Sequence, residues 1–292
     1  MPAQVGRGIA RLEAREKVTG RAEYVHNLRL PNMLHGRIFR STVPHGRIRR
    51  VDTSAARAVA GVFRVVTIDD VLRLIPSPYY GPAFHDQPIL AHEKVRHVGE
   101  PVAVVLAADT HVAEEAVALI AADYEELPAV YDEVAAMTSA AIVHDALKPA
   151  GTFADLKHLT GRKNTNVALD FHLSRGDAEK AFAGADRVFE HTFRTQQVLH
   201  LPLEPFVTVA EPTGAGLTIH TSSQMPSFVR TEIARARKGE LAMIDVTMHA
   251  HIFGHPRGAW YFEEIVKQAV KATDIWVGTR AEIAEHVLAQ AA

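Results

Sequence analysis

A run of six apolar residues followed directly by a helix start signal restricts the fold of this sequence more than any other feature. Residues 102–107 read VAVVLA, a pattern typical of a strand that is buried on both faces. Asp109 then stands at the N-cap position of a predicted helix, residues 110–122. Its apolar side chains fall on one stripe, which consists of Val112, Ala116, Leu119 and Ile120. The sequence therefore predicts a strand–helix unit at the centre of a domain.

Short elements of alternating type precede this unit. Residues 34–39 and 63–67 are predicted strands, and residues 54–60 and 69–74 are predicted helices. Residues 75–88 contain four prolines and one glycine, which predicts a long surface loop. The first part of the chain thus has an alternating α/β pattern.

Two pairs of polar or aromatic side chains have a functional and a structural interpretation. Tyr79 and Tyr80 lie in the predicted loop, where packing is favoured over a binding surface. Glu114 and Glu115 point away from the apolar stripe of the predicted helix, so a solvated face is favoured over a catalytic carboxylate pair. Neither pair defines an active site.

A second domain is predicted to follow a linker. Residues 139–166 are rich in Gly, Pro, Lys and Thr and are interpreted as that linker. Asp177 then caps a short helix that Gly184 ends. The strands predicted after this helix are residues 187–194, 206–211 and 217–221.

Composition excludes several kinds of site. The chain of 292 residues is long enough for about two domains, and its net charge of −2 gives no general attraction to nucleic acid. It has no cysteine, so any iron–sulfur cluster must belong to a partner. The N-terminal segment lacks an apolar core, and no apolar run approaches the roughly 20 residues of a membrane span, so a soluble cytoplasmic protein is expected.

Three stretches carry a resemblance to a known family. They are residues 16–56, with EKVTGRAEYVHNLRLP and STVPHGRIRRVD, residues 87–116, with KVRHVGEPVAVVLAADTHVAEEA, and residues 191–230, with TSSQMPSFVR. Over about residues 5–235 the chain resembles the large, molybdopterin-binding subunit of the xanthine dehydrogenase and aldehyde oxidase family. The resemblance implies an α/β hammerhead domain at residues 17–127 and a truncated first molybdopterin-binding domain at residues 144–235, within a mixed α+β fold.

The resemblance also implies a reaction and partners. The family hydroxylates purines, N-heterocycles or aldehydes with oxygen taken from water at a molybdenum–molybdopterin cofactor. Electrons then leave through iron–sulfur clusters and FAD, in separate subunits or domains. A small-molecule substrate is expected, and neither nucleic acid nor a membrane.

One residue can be assigned to the cofactor by this resemblance. Gln224, in TSSQMP, matches the family glutamine that lies against the molybdenum centre, where a neutral amide can donate to an oxo ligand. The alternative is a polar residue that caps the helix starting at Pro226, and both remain open. Glu204, in HLPLEPF, matches a family glutamate or its surroundings and is interpreted as a structural hydrogen-bonding carboxylate rather than a catalyst.

The sequence also departs from the family. It contains no Gly–Gly pair, and the glycine-rich loop expected after the helix at residues 225–234 is absent. The second cofactor domain and the family's late general-base glutamate have no counterpart either. We therefore expect the chain to bind no molybdopterin alone.

The final segment, residues 238–292, resembles the end of polysaccharide deacetylase and allantoinase-like proteins, with a predicted strand–helix–strand–helix order. His249 matches that family's late active-site histidine and is the candidate catalytic residue there. His251 and His255 lie nearby, but no metal site is expected, because that family's metal ligands have no matching motif. Three functions remain open: a molybdenum hydroxylase portion, a C–N hydrolase remnant and a non-catalytic fusion. Exposed apolar residues of the tail predict self-association.

Overall fold

The structure is a computed structural model that describes residues 13–213 and 216–237, except 152, 154 and 155, together with Gly8 and Arg11. These residues fall into two compact units. One contains residues 29–200 and 235–237, and the other combines the described part of residues 1–28 with residues 201–234. No helix in the described ranges is long and apolar enough to cross a membrane. The predicted tail, residues 238–292, lies outside the described residues.

The predicted central strand forms, in the middle of an antiparallel sheet. Strand β7 (Pro101–Ala107) pairs with β1 (His35–Arg40) on one side and with β3 (Val62–Val66) on the other. Its burial alternates, because Ala103, Val105 and Ala107 are fully buried whereas Val104 and Leu106 are partly exposed. The prediction of full burial on both faces is therefore wrong, because α2 and α4 cover one face and leave Val104 and Leu106 on the other partly exposed.

Three helices accompany this sheet. Helices α2 (Ser54–Ala58) and α4 (Thr110–Ala118) pack on the covered face, where they share one core with Val65 and Val105. Asp109 caps α4 as predicted, because its carboxylate accepts from the backbone N–H groups of His111 and Val112. Helix α3 (Ile68–Leu74) begins with a capping box between Thr67 and Asp70.

Helix α4 ends at Ala118, earlier than predicted. Residues Ala121–Glu126 instead form β8, which pairs antiparallel with β2 (Gly46–Asp52), and the short strand β6 (Lys94–Val95) pairs with the other edge of β2. The backbone hydrogen bonds that β2 offers outweigh the helical pattern of the local sequence. Glu114 makes an exposed ion pair with Arg37 at 2.6 Å, in agreement with a solvated face.

The predicted linker is folded rather than open. Strand β9 (Ala146–Leu147) pairs with β10 (Arg162–Lys163), and buried Leu147 and Leu159 pack with Phe84. Phe84 belongs to the proline-rich loop, in which β4 (Tyr79–Tyr80) pairs with β5 (Gln87–Pro88). Lys94 also reaches Asp145 at 3.0 Å. The linker interpretation of residues 139–166 is therefore wrong, because tertiary contacts fold a segment whose composition suggests a loop.

Residues 168–203 follow as an exposed stretch. It contains helix α6 (Ala178–Ala183), which Asp177 caps and Gly184 ends as predicted. The strand predicted at residues 187–194 is not formed, because no neighbouring strand pairs with it in the described part of the chain. Large apolar side chains lie exposed here, namely Leu169, Phe171, Leu173, Phe182, Val188, Phe189, Phe193, Val198, Leu199, Leu201 and Leu203.

The second unit is built on a hairpin. Strands β11 (Thr208–Thr213) and β12 (Gly216–Thr221) pair antiparallel and lead into helix α7 (Pro226–Arg237). A 3-10 turn, Val25–Asn27, contacts β11. The remaining elements are helices α1 (Ala14–Val18) and α5 (Glu133–Ala136).

Candidate functional site

Gln224 lies at the bend between β12 and α7. Its side chain is exposed, and it makes no hydrogen bond to any described residue. Ser223 makes the hydrogen bond near the helix start instead, because its hydroxyl accepts from the backbone N–H of Met225 at 3.0 Å. Pro226 then occupies the first turn, where its missing N–H costs nothing. The capping alternative for Gln224 is thus not seen, and its amide remains available to a group outside this unit.

The hairpin beside Gln224 carries polar side-chain pairs. The Thr208 and Thr221 hydroxyls lie 2.9 Å apart across the two strands. His220 Nε2 lies 3.2 Å from a Glu211 carboxylate oxygen, and both side chains are about one third exposed. Sequence reasoning missed this His–Glu pair, because the two residues come together only through the register of β11 against β12. The pair can hold a proton at Nε2.

Glu204 does not have the hydrogen-bonding role predicted for it. It is partly buried in an irregular segment, and among the described residues its carboxylate makes neither a hydrogen bond nor an ion pair. The adjacent Leu203 is fully exposed. The segment before β11 therefore offers a carboxylate and apolar side chains without partners in the described part of the chain.

Gln224 and its neighbours could line only one side of a molybdenum–molybdopterin site. Gln224 provides a neutral donor, but it stands on an exposed bend rather than in a closed cavity. Within the described ranges, no group of three or more His, Asp or Glu side chains could hold a metal ion. His249, His251 and His255 lie outside those ranges.

A separate cavity lies in the unit of residues 29–200. It has a volume of about 360 Å³, and its lining includes Asp86, Glu133, His144 and Thr165. Burial, helped by the charge of Arg96, lowers the pKa of His144 below its usual 6.5, so its imidazole is neutral at pH 7. Asn166, also in the lining, is fully engaged by Val143 N, Ala136 O and Ala141 O. The segment interpreted as a linker in the sequence thus supplies much of this cavity.

Two family models match the chain. Residues 19–128 match the aldehyde oxidase and xanthine dehydrogenase a/b hammerhead domain, and residues 159–254 match a molybdopterin cofactor-binding domain. The second match includes His249 and His251, so the molybdopterin-domain match extends into residues 238–254, where a deacetylase-like tail was expected.

Curated relatives agree with these models. The chain is 32% identical over 231 residues to the nicotinate dehydrogenase large molybdopterin subunit of Eubacterium barkeri, which covers 79% of this chain and 50% of that subunit. It is 34% identical over 221 residues to the carbon monoxide dehydrogenase large chain of Afipia carboxidovorans, which covers 74% of this chain and 27% of that one. The chain therefore spans half or less of the length of these relatives.

Solved structures show the same similarity in three dimensions. Quinoline 2-oxidoreductase from Pseudomonas putida 86 superposes with a TM-score of 0.67 and 33% identity, over 80% of this chain and 28% of that one. Aldehyde oxidoreductase from Desulfovibrio gigas superposes with a TM-score of 0.65 and 29% identity, over 79% of this chain and 25% of that one.

Proposed function

Because this chain belongs to the aldehyde oxidase and xanthine dehydrogenase family over its hammerhead and molybdopterin-domain matches, we propose that it is part of the large subunit of a molybdenum hydroxylase. The observation that supports this most strongly is the succession of the two matched domains in one chain, at residues 19–128 and 159–254. The proposed substrates are N-heterocycles or aldehydes, since the relatives named above act on nicotinate, quinoline and aldehydes.

The chain would act as one wall of the active site. When bound, the molybdenum cofactor supplies the two-electron oxidation that converts a C–H bond and water into C–OH, two protons and two electrons. The Gln224 amide would orient an oxygen at that centre by donating a hydrogen bond without adding charge. The exposed apolar side chains of residues 168–203 would pack against a partner polypeptide and exclude water from that contact.

Partners follow from the same chemistry. The two electrons must leave through carriers, and this chain has no cysteine to ligate an iron–sulfur cluster. Iron–sulfur and FAD subunits are therefore the proposed partners. We also propose that the chain alone is inactive, because Gln224 lies on an exposed bend and a ligand site at a domain interface needs both walls.

Metal analysis tests this proposal directly. The purified chain should contain far less than one molybdenum per molecule and should not oxidise quinoline, nicotinate or aldehydes. Copurification with a polypeptide that supplies the opposite wall of the site should restore stoichiometric molybdenum. One molybdenum per molecule in the chain alone would contradict the shared-wall proposal, and a copurified complex without molybdenum would contradict the family function.

A matched pair of variants tests Gln224 in that complex. Gln224→Ala should lower turnover while leaving the complex assembled, whereas Gln87→Ala, at an exposed glutamine of β5, should leave turnover unchanged. Equal turnover in the two variants would show that Gln224 does not serve the cofactor.

A further inference from the structure

The central sheet has one face that helices α2 and α4 do not cover. Ile38, Val104 and Val66 stand directly opposite one another on β1, β7 and β3 and form a row across the three strands. Because neighbouring side chains on a strand point to opposite faces, this row faces away from the core that contains Val65 and Val105. Ile38 is 40% exposed.

The hairpin of β4 and β5 turns this open face into a groove. The groove has a volume of about 610 Å³, and Tyr80 and Gln87 of the hairpin line it together with the apolar row. Leu90 and Val71, which are almost fully buried, add to its apolar lining. This volume lies in the range of about 300–1,000 Å³ that is typical of small-molecule sites.

An unpaired cation also lines the groove. Arg40 lies in its lining and donates one hydrogen bond, from Nη1 to the Gly99 carbonyl at 2.8 Å. Among the described residues it has no carboxylate partner, whereas Arg37 on the same strand pairs with Glu114. The guanidinium of Arg40 therefore keeps donors in the fork geometry that binds a carboxylate with two hydrogen bonds.

A neutral donor accompanies Arg40. Burial raises the pKa of the Tyr80 phenol above 10, so it stays protonated and can donate. His97 also lines the groove, but its Nδ1 is used toward the Val98 carbonyl at 3.0 Å. An apolar body and an anionic head group would thus both find complementary surroundings.

We propose that this groove binds a small amphipathic carboxylate, an aromatic or short aliphatic acid, with its apolar body on the row of Ile38, Val104 and Val66 and its carboxylate on Arg40. The site is built entirely by residues 38–104 and does not involve Gln224, so it is independent of the proposed cofactor role.

Methyl NMR of the full chain tests the site with 2-naphthoate as the probe. Saturable shifts are expected for the methyl signals of Ile38, Val66 and Val104, and 2-naphthylmethanol, which lacks the charge, should bind at least about tenfold more weakly, as the loss of a charge-assisted hydrogen bond implies. The methyls of residues 168–203 serve as the control for nonspecific adsorption to exposed apolar side chains.

Two arginine variants on one strand complete the test. Arg40→Gln should weaken 2-naphthoate binding by about tenfold or more, Arg40→Lys should weaken it less, and Arg37→Gln on the opposite face should leave it within about twofold. An unchanged methyl spectrum of the free variants shows that they fold. The proposal is overturned by an absence of saturable shifts in the groove, by equal binding of acid and alcohol, or by equal effects of the two glutamine variants.

Discussion

Removal of the Glu100 carboxylate tests whether a buried ion pair supports the central sheet. Glu100 is 3% exposed and precedes β7, and its side chain lies 3.6 Å from Arg96 Nη1 and accepts the backbone N–H of Arg96. Glu100→Ala leaves this cation buried without its anion, a change that costs roughly 3–5 kcal/mol in proteins. Because Arg96 keeps a bond to the Lys94 carbonyl at 3.2 Å, we expect about 3 kcal/mol.

A surface pair provides the matched control. Glu125 pairs with Arg47 and Arg49, but all three side chains are between 44% and 59% exposed, so Glu125→Ala should cost about 0–1 kcal/mol. Glu100→Gln should fall between the two alanine variants, because its amide oxygen can still accept the Arg96 N–H.

Urea denaturation followed by circular dichroism measures these differences. Hydrogen exchange of the Ala103 and Val105 amides reports the same loss locally, because both residues lie in the sheet that follows Glu100. The melting temperature should fall by roughly 6–12 °C for Glu100→Ala at about 2–4 °C per kcal/mol. If Glu100→Ala and Glu125→Ala destabilise equally, burial does not decide the strength of these pairs.

Three further predictions concern pH, proteolysis and the tail. The hydrogen bond from the Thr67 N–H lowers the pKa of Asp70 from 3.8, so the stabilisation by the Asp70 carboxylate is present above pH 3.8 and is lost as the pH falls through the folded-state pKa. In urea titrations, Asp70→Ala should therefore lower the free energy of unfolding by about 1 kcal/mol at pH 6 and by less in acid. A loss that stays constant with pH would refute this assignment. Trypsin should cut first at the exposed Arg175 and Arg187 and leave a stable fragment that retains residues 139–166, and early cleavage at Arg162 would contradict the folded linker. Deleting residues after Arg237 should leave the melting temperature of residues 29–168 nearly unchanged and reduce self-association, and unfolding of that unit on deletion would show an interface with the tail.

Local sequence signals were sufficient wherever neighbours in the chain decide the structure. The Asp109 cap and the start of α4 depend on residues three or fewer positions apart, so the sequence predicts them. The family resemblance is also visible in the sequence alone, and the two family models confirm it over residues 19–128 and 159–254. The same resemblance led to Gln224, which stays a prediction; its side chain is exposed at the bend before α7.

Tertiary structure decided the features that need a partner distant in sequence. The predicted helix continued to residue 122, yet residues 121–126 form β8 because β2, about 70 residues earlier, offers its backbone donors and acceptors. Residues 187–194 have the composition of a strand but gain no such neighbour among the described residues. The groove beside Arg40 likewise exists only through the register that places Ile38, Val104 and Val66 in one row. Hydrogen-bonded pairing is a property of two segments, and one segment's sequence does not specify the other.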